Sequence, residues 1–204
     1  DSMGNRGDLR AGGAQWMKAA SGVIHSEMPQ QSNGLMRGFQ LWVNLPAAEK
    51  MSDPAYQEFA RSAIPEVAGE GIRVRVLAGE YACQHGVIDD PHTDLHYLDV
   101  GLTANAGFET PLASALRGFV YVFEGEAKNG AQLLPQHSFS VLGAGDAVQL
   151  QAGPNGARLI LVAGLPIGEP VVQYGPFVMN TREEIEQAMR DYRDGTLVRV
   201  KASV

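Results

Sequence analysis

His25 and Glu27 stand two residues apart in the run Val23-Ile24-His25-Ser26-Glu27-Met28. On an extended chain successive side chains alternate between faces, so both groups project from the same side and can share one ion. A neutral imidazole beside a carboxylate suits Fe(II), Mn(II), Zn(II) or Ni(II). Further histidines would complete the mixed donor set of non-haem iron oxygenases. An ordinary structural ion pair or hydrogen bond uses the same two residues, and two ligands alone make an incomplete metal site.

Four other alternating groups, Asp90, His92, Asp94 and His96, would also share a face if the chain were extended. Pro91 and the pair Asp89-Asp90 favour a solvated loop entering a strand at Leu95. Glu124 and Glu126 flank Gly125 and read as solvated turn acids, not ligands. His85 and His137 flank turns, where surface exposure is the default. Cys83 reads as a partly buried, inert thiol, reactive only if His85 lowers its pKa. Trp16 and Trp42 sit in strand patterns, and lining a barrel interior or aromatic core packing explains them equally well. Met17, Met28, Met36 and Met51 follow no helical stripe and read as packing too.

The elements that must hold these residues are short. Strands are expected at 14–19, 23–28 and 39–45, with a loop at 29–38. Short helices are expected within 46–61, the second of them capped at Asp53-Pro54. Extended structure resumes at 64–67 and 72–77. Strands then follow at 95–102, 119–124, 127–134, 138–142, 147–151 and 158–164, the spacing of a sandwich or barrel. Thr181 with Glu184 makes a capping box, and Ile185, Ala188, Met189 and Tyr192 form one apolar stripe ending at Gly195. This predicts a helix over 181–194. Gly7-Asp8 and Gly143-Ala144-Gly145-Asp146 echo one another as turns before strands, which suggests tandem copies of one barrel.

Composition narrows the class. Across 204 residues, 24 glycines and 11 prolines punctuate an all-β chain, and a formal charge of −7 without a basic cluster argues against direct nucleic-acid binding. One cysteine excludes an intramolecular disulfide, and no apolar stretch is long enough for a membrane span. A cytoplasmic or, in a eukaryote, nuclear setting is expected. The opening Asp1-Ser2-Met3-Gly4-Asn5-Arg6-Gly7-Asp8 reads as a hairpin tip, so an incoming strand before Asp1 is expected.

Three segments carry a family resemblance: QWMKAASGVIHSEM at 15–28, QLWVNLP at 40–46 and YGPFVMNT at 174–181. In this order they resemble the pirin family. The resemblance implies two tandem cupin, jelly-roll-like β-barrels, the first incomplete, followed by a C-terminal helix. It divides the chain into 1–62, the remainder of an N-terminal barrel plus linker, and 63–204, a C-terminal barrel with its helix.

The resemblance also implies a divalent metal, Fe(II) foremost, held in the first barrel by three histidines and a glutamate. His25 and Glu27 match the last histidine and the glutamate. The family's His-x-His segment, within a His-Pro-His-Arg-Gly-Phe-Glu type motif, does not occur in this sequence, and its ligands are expected upstream of Asp1. No histidine stands at 107–114, where a metal cupin would carry its pair, so the second barrel is expected to be a scaffold.

The activity implied is that of a quercetin 2,3-dioxygenase, with a flavonol as substrate and Glu27 as the base for its 3-hydroxyl. Two other functions fit the same residues. One is a metal- or redox-sensitive regulator that docks on a protein partner such as a transcription factor. The other is a metal-free cupin that binds a small molecule.

Overall fold

The computed structural model describes residues 1–30 and 33–199. In chain order the strands are β1 (Ala14–Lys18), β2 (Ala55–Phe59), β3 (Glu66–Gly69), β4 (Ile72–Ala78), β5 (Glu80–Tyr81), β6 (Gln84–His85) and β7 (His96–Leu102). They continue as β8 (Gly107–Pro111), β9 (Arg117–Asn129), β10 (Gln132–Leu134), β11 (Phe139–Val141), β12 (Ala147–Gly164), β13 (Val172–Tyr174) and β14 (Phe177–Met179). One α-helix follows, α1 (Arg182–Asp194), and 3-10 turns occur at Ala47–Glu49 and Arg61–Ala63. The protein is therefore all-β with a C-terminal helix, and no described helix is long and apolar enough to cross a membrane.

Two compact units divide the chain. One contains residues 1–8, 15–58 and 167–204, and the other 9–14 and 59–166. This differs from the sequence division at 62/63, because the final helix groups with the N-terminal residues.

The second unit is built on alternation. In β7, Leu98, Val100 and Leu102 are buried while the residues between them are half-exposed, as a sheet with one packed face requires. Its antiparallel sheet runs β10-β9-β12-β7-β4-β3, with β8 also paired to β12 and β11 to β9. Val74, Val76, Leu98, Val120, Val122, Leu159 and Leu161, all essentially inaccessible, form the centre of the core.

The expected strands 119–124 and 127–134 join in one long strand as far as Asn129, after which the chain turns back as β10, and 147–151 and 158–164 lie within a single strand, not two joined by a turn. β9 runs on through Glu124-Gly125-Glu126, with register shifts against β12 at Phe123 and opposite residues 153–156, and β12 pairs with β8, β7 and β9 along its 18 residues. Gly125 (φ +66°) allows this, because a Cβ there would overlap the Gly156 carbonyl.

The outer face of the same unit carries a polar seam. Arg75 Nη1 donates to Asp99 Oδ2 at 3.3 Å, and its Nη2 donates to the Gly12 carbonyl, fixing residues 9–14 against β4 and β7. Nearby, burial and the Asp99 carboxylate push the Tyr97 phenol up to about 12, while Arg75 opposes them.

In the first unit, β1 and β2 form one two-stranded sheet and β13 and β14 another. Thr181 Oγ1 accepts from the Glu184 amide at 3.2 Å, and Glu184 Oε2 accepts from the Thr181 amide at 2.8 Å, so the expected capping box is present. Ile185 is buried, Tyr192 meets Phe177 edge-on at 6.5 Å, and Gly195 (φ +72°) ends the helix. Residues 55–59 are a strand and not the second short helix expected after Asp53-Pro54, since β1 offers them a ladder.

Candidate functional site

His25 and Glu27 lie in a stretch, 23–30, that contains no assigned strand, and 33–46 likewise contains none. β-Prone residues form a strand only where a neighbour supplies hydrogen bonds. Among the described residues, Ser2 N donates to Ile24 O at 2.7 Å. Ser2 Oγ in turn accepts from Ile24 N at 3.1 Å, so residue 24 is bracketed by the chain's opening residues.

That opening is a tight turn, as its sequence suggests. Asp1 Oδ1 accepts from the amides of Met3 at 3.0 Å and Asn5 at 2.8 Å, and Asp1 Oδ2 accepts from Asn5 Nδ2 at 2.9 Å. It lies directly beside the residue that precedes His25.

Both His25 and Glu27 are exposed, and Gln40 Nε2 donates to Glu27 Oε1 at 3.4 Å. Among the described residues no three His, Cys, Asp or Glu side chains are placed to hold a metal ion. The donor chemistry of His25 and Glu27 suits a transition metal, but their number does not: two ligands leave at least one protein position unfilled even in an open catalytic site. The described residues therefore do not by themselves fit a metal centre.

The second histidine group is resolved against metal binding. Asp90 Oδ1 accepts from His92 N at 3.1 Å, and Asp90 Oδ2 accepts from the Thr93 hydroxyl. The carboxylate thus caps a turn over 91–94 in place of an extended strand, which separates the four groups. His96 begins β7, and its Nε2 lies 3.9 Å from Asp94 Oδ1.

Glu124 pairs with Arg158 at 3.5 Å within the sheet, so it is not a turn acid. His85 and His137 are exposed, as expected. Cys83 is exposed at a hairpin tip and not partly buried. Trp42, Met28, Met36 and Met51 are exposed as well, where packing had been expected.

One buried charge escaped the sequence reading. Lys50 is 5% exposed, and its Nζ donates to Asn44 Oδ1 at 2.6 Å and to the Val178 carbonyl at 3.1 Å. Burial pulls its ammonium below the ordinary lysine value, while Glu169 and Glu184 raise it. Glu169 Oε2 also accepts from Ala47 N at 2.7 Å and Asn180 Nδ2 at 2.9 Å, closing the network. The only sequence signal was a lysine among small residues, which is also how a surface lysine reads.

Profile comparison matches the Pirin family over residues 1–43 and the Pirin C-terminal cupin domain over 97–198. A proposed quercetin 2,3-dioxygenase of Pseudomonas aeruginosa is 46% identical over 97% of this chain and 72% of its own length. The chain belongs to the pirin family. Human pirin is 39% identical, with 95% of this chain and 68% of the human protein aligned. A crystal structure of quercetin 2,3-dioxygenase from Acinetobacter baumannii superposes with a TM-score of 0.84 at 30% identity. That match covers 98% of this chain and 72% of the other. These matches establish the cupin architecture of the pirins for this chain and confirm the resemblance carried by 15–28, 40–46 and 174–181.

Proposed function

We propose that this pirin acts as a quercetin 2,3-dioxygenase-type oxidoreductase on a flavonol, with His25 and Glu27 as two ligands of a divalent metal, Fe(II) foremost. The observation that carries the reading is the 46% identity, over nearly the whole chain, to the Pseudomonas protein. The Acinetobacter superposition supports it. Because the described residues supply only two donors, the reading requires further ligands from outside them, and upstream polypeptide is the expected source.

A bound ion of this kind would supply Lewis acidity and access to oxygen. The contribution of the chain's own residues is a proton acceptor. The Glu27 carboxylate is exposed and held by a long contact from Gln40, so it is free to take the proton of a flavonol 3-hydroxyl. Gln40 orients that carboxylate through Oε1.

The test is oxygen uptake by iron-loaded protein in the presence of quercetin, followed together with loss of the flavonol absorbance. Uptake that falls at least a hundredfold in Glu27→Gln, in the range general-base removal produces, supports the reading. Oxygen uptake that is absent, or that is unchanged in Glu27→Gln, defeats it.

A second reading, a regulator that docks on a protein partner, is favoured by the apolar side chains around the same residues. Ile24 is 49%, Trp42 59% and Met28 74% exposed. Stoichiometric capture of a partner that depends on the oxidation state of bound iron would select this reading.

A further inference from the structure

One side of the second unit's sheet ends on an open strand edge. β11 pairs with β9, Phe139 opposite Tyr121 and Val141 opposite Phe119. Val122 N donates to Ser138 O at 3.1 Å and Leu142 N donates to Gly118 O at 2.9 Å. Backbone groups of an antiparallel strand face its neighbour at every second residue, so the N–H and C=O of Phe139 and Val141 point away from β9. Among the described residues those groups have no partner.

The side chains on this edge are apolar and open. Val120 and Val122 face the core, so Phe119, Tyr121, Phe139 and Val141 share the outer face of the sheet. Phe139 is 60% and Val141 73% exposed. The Phe139 ring stacks on Phe119 with centroids 4.5 Å apart, which holds it in place at the rim.

Natural edges are blunted by charges, by proline or by a covering segment, because an open strand templates pairing with another chain. This one carries no charge: no Asp, Glu, Lys or Arg occurs from 129 to 145, in a chain whose formal charge is −7. Pro135 lies outside the strand and leaves every N–H of 136–142 in place. A neutral edge is what self-association requires, since two chains that repel overall come together where neither presents a charge.

The sequence of β11 is also self-complementary. A second β11 running antiparallel about a two-fold axis at Ser140 sets Phe139 of each copy opposite Val141 of the other, an aromatic against a β-branched side chain, which is a favourable cross-strand pair. In that register Phe139 and Val141 exchange both of their backbone hydrogen bonds, so every free group on the edge is matched. The contact is isologous and consumes the edge of each copy, so it closes at two chains and does not propagate.

We propose that β11 pairs with the β11 of a second copy of this chain, joining the two sheets across Ser140 in a reversible dimer. β11 has three residues, and a contact of that length falls below the roughly 1,200 Å² of a stable interface, so the dimer forms as concentration rises.

The test is sedimentation velocity of the 204-residue chain over a concentration series. The expected result is a monomer–dimer equilibrium, weakened at least tenfold in Val141→Lys, with an unchanged melting temperature because that side chain is exposed. Register is read by cross-linking with the exposed Cys83 replaced by serine. Ser140→Cys should then form a disulfide-linked dimer on mild oxidation, because opposed residues of a non-hydrogen-bonded pair have Cα atoms about 4.5 Å apart, within disulfide reach. Ser114→Cys, exposed elsewhere on the same unit, should not. A single species of monomer mass up to about 1 mM, a dimer that Val141→Lys leaves intact, or equal cross-linking at 114 and 140 overturns the proposal. Slow amide exchange at Phe139 and Val141 in the dilute chain also overturns it, since another segment would then already hold the edge.

Discussion

Lys50 is the residue on which the first unit most visibly depends. Its ammonium supplies the donors that Asn44 and Val178 use, and it sits between Glu169 and Glu184 in a buried setting. Lys50→Ala leaves those acceptors unpaired, and loss of hydrogen bonds to a charged group costs about 2 kcal/mol. The expected outcome is an earlier urea midpoint with an unchanged slope. Because burial lowers the folded-state pKa, the native protein releases this proton first on raising the pH. Stability should therefore rise with pH between the lowered value and the ordinary lysine value, and this rise should vanish in Lys50→Ala.

His25 and Glu27 show the other side of residue-scale reading. Their types and spacing were legible, but the strand meant to align them is missing, because alternation in sequence does not provide a hydrogen-bonding partner. Lys50 was illegible for the opposite reason: its significance lies in Val178, Glu169 and Glu184, more than a hundred positions away.

At the scale of elements, the second unit was the readable part. β7 alternates and packs as its sequence requires, β4 is buried on both faces from Val74 onward, and the helix carries its cap and terminating glycine. The errors cluster where glycine has two meanings. Gly125 and the 153–156 segment read as turns, yet both lie inside long strands, where positive φ produces a bulge instead of a reversal.

This contrast yields a prediction. Gly125 and Gly130 both have positive φ, but only at Gly125 would a Cβ meet backbone, the Gly156 carbonyl. Alanine at a positive-φ position costs about 1 kcal/mol or more. Gly130→Ala should show that cost alone, whereas Gly125→Ala should lose distinctly more in denaturant unfolding, because the β9-β12 pairing must shift. Equal losses would mean that the bulge is not tightly packed.

At the scale of the molecule, two units share one chain, and the helix near its end groups with the residues near its start. Sequence order alone could not show this, since periodicity reports which face is buried and not what covers it. The pirin profiles and the relatives establish the architecture, and the chain spans 72% of the Pseudomonas relative. Exposed Ile24 and Met28 flank His25 and Glu27 in sequence.

The central claim is that His25 and Glu27 are two members of a larger ligand set, and metal stoichiometry tests it most directly. Iron per chain would be measured for the 204-residue chain, for a form extended upstream of Asp1, and for the extended form carrying His25→Ala and Glu27→Ala. The account predicts well under one ion for the first, about one for the second and a return to near zero for the third. A full ion in the 204-residue chain, or an ion retained after both replacements, would contradict it.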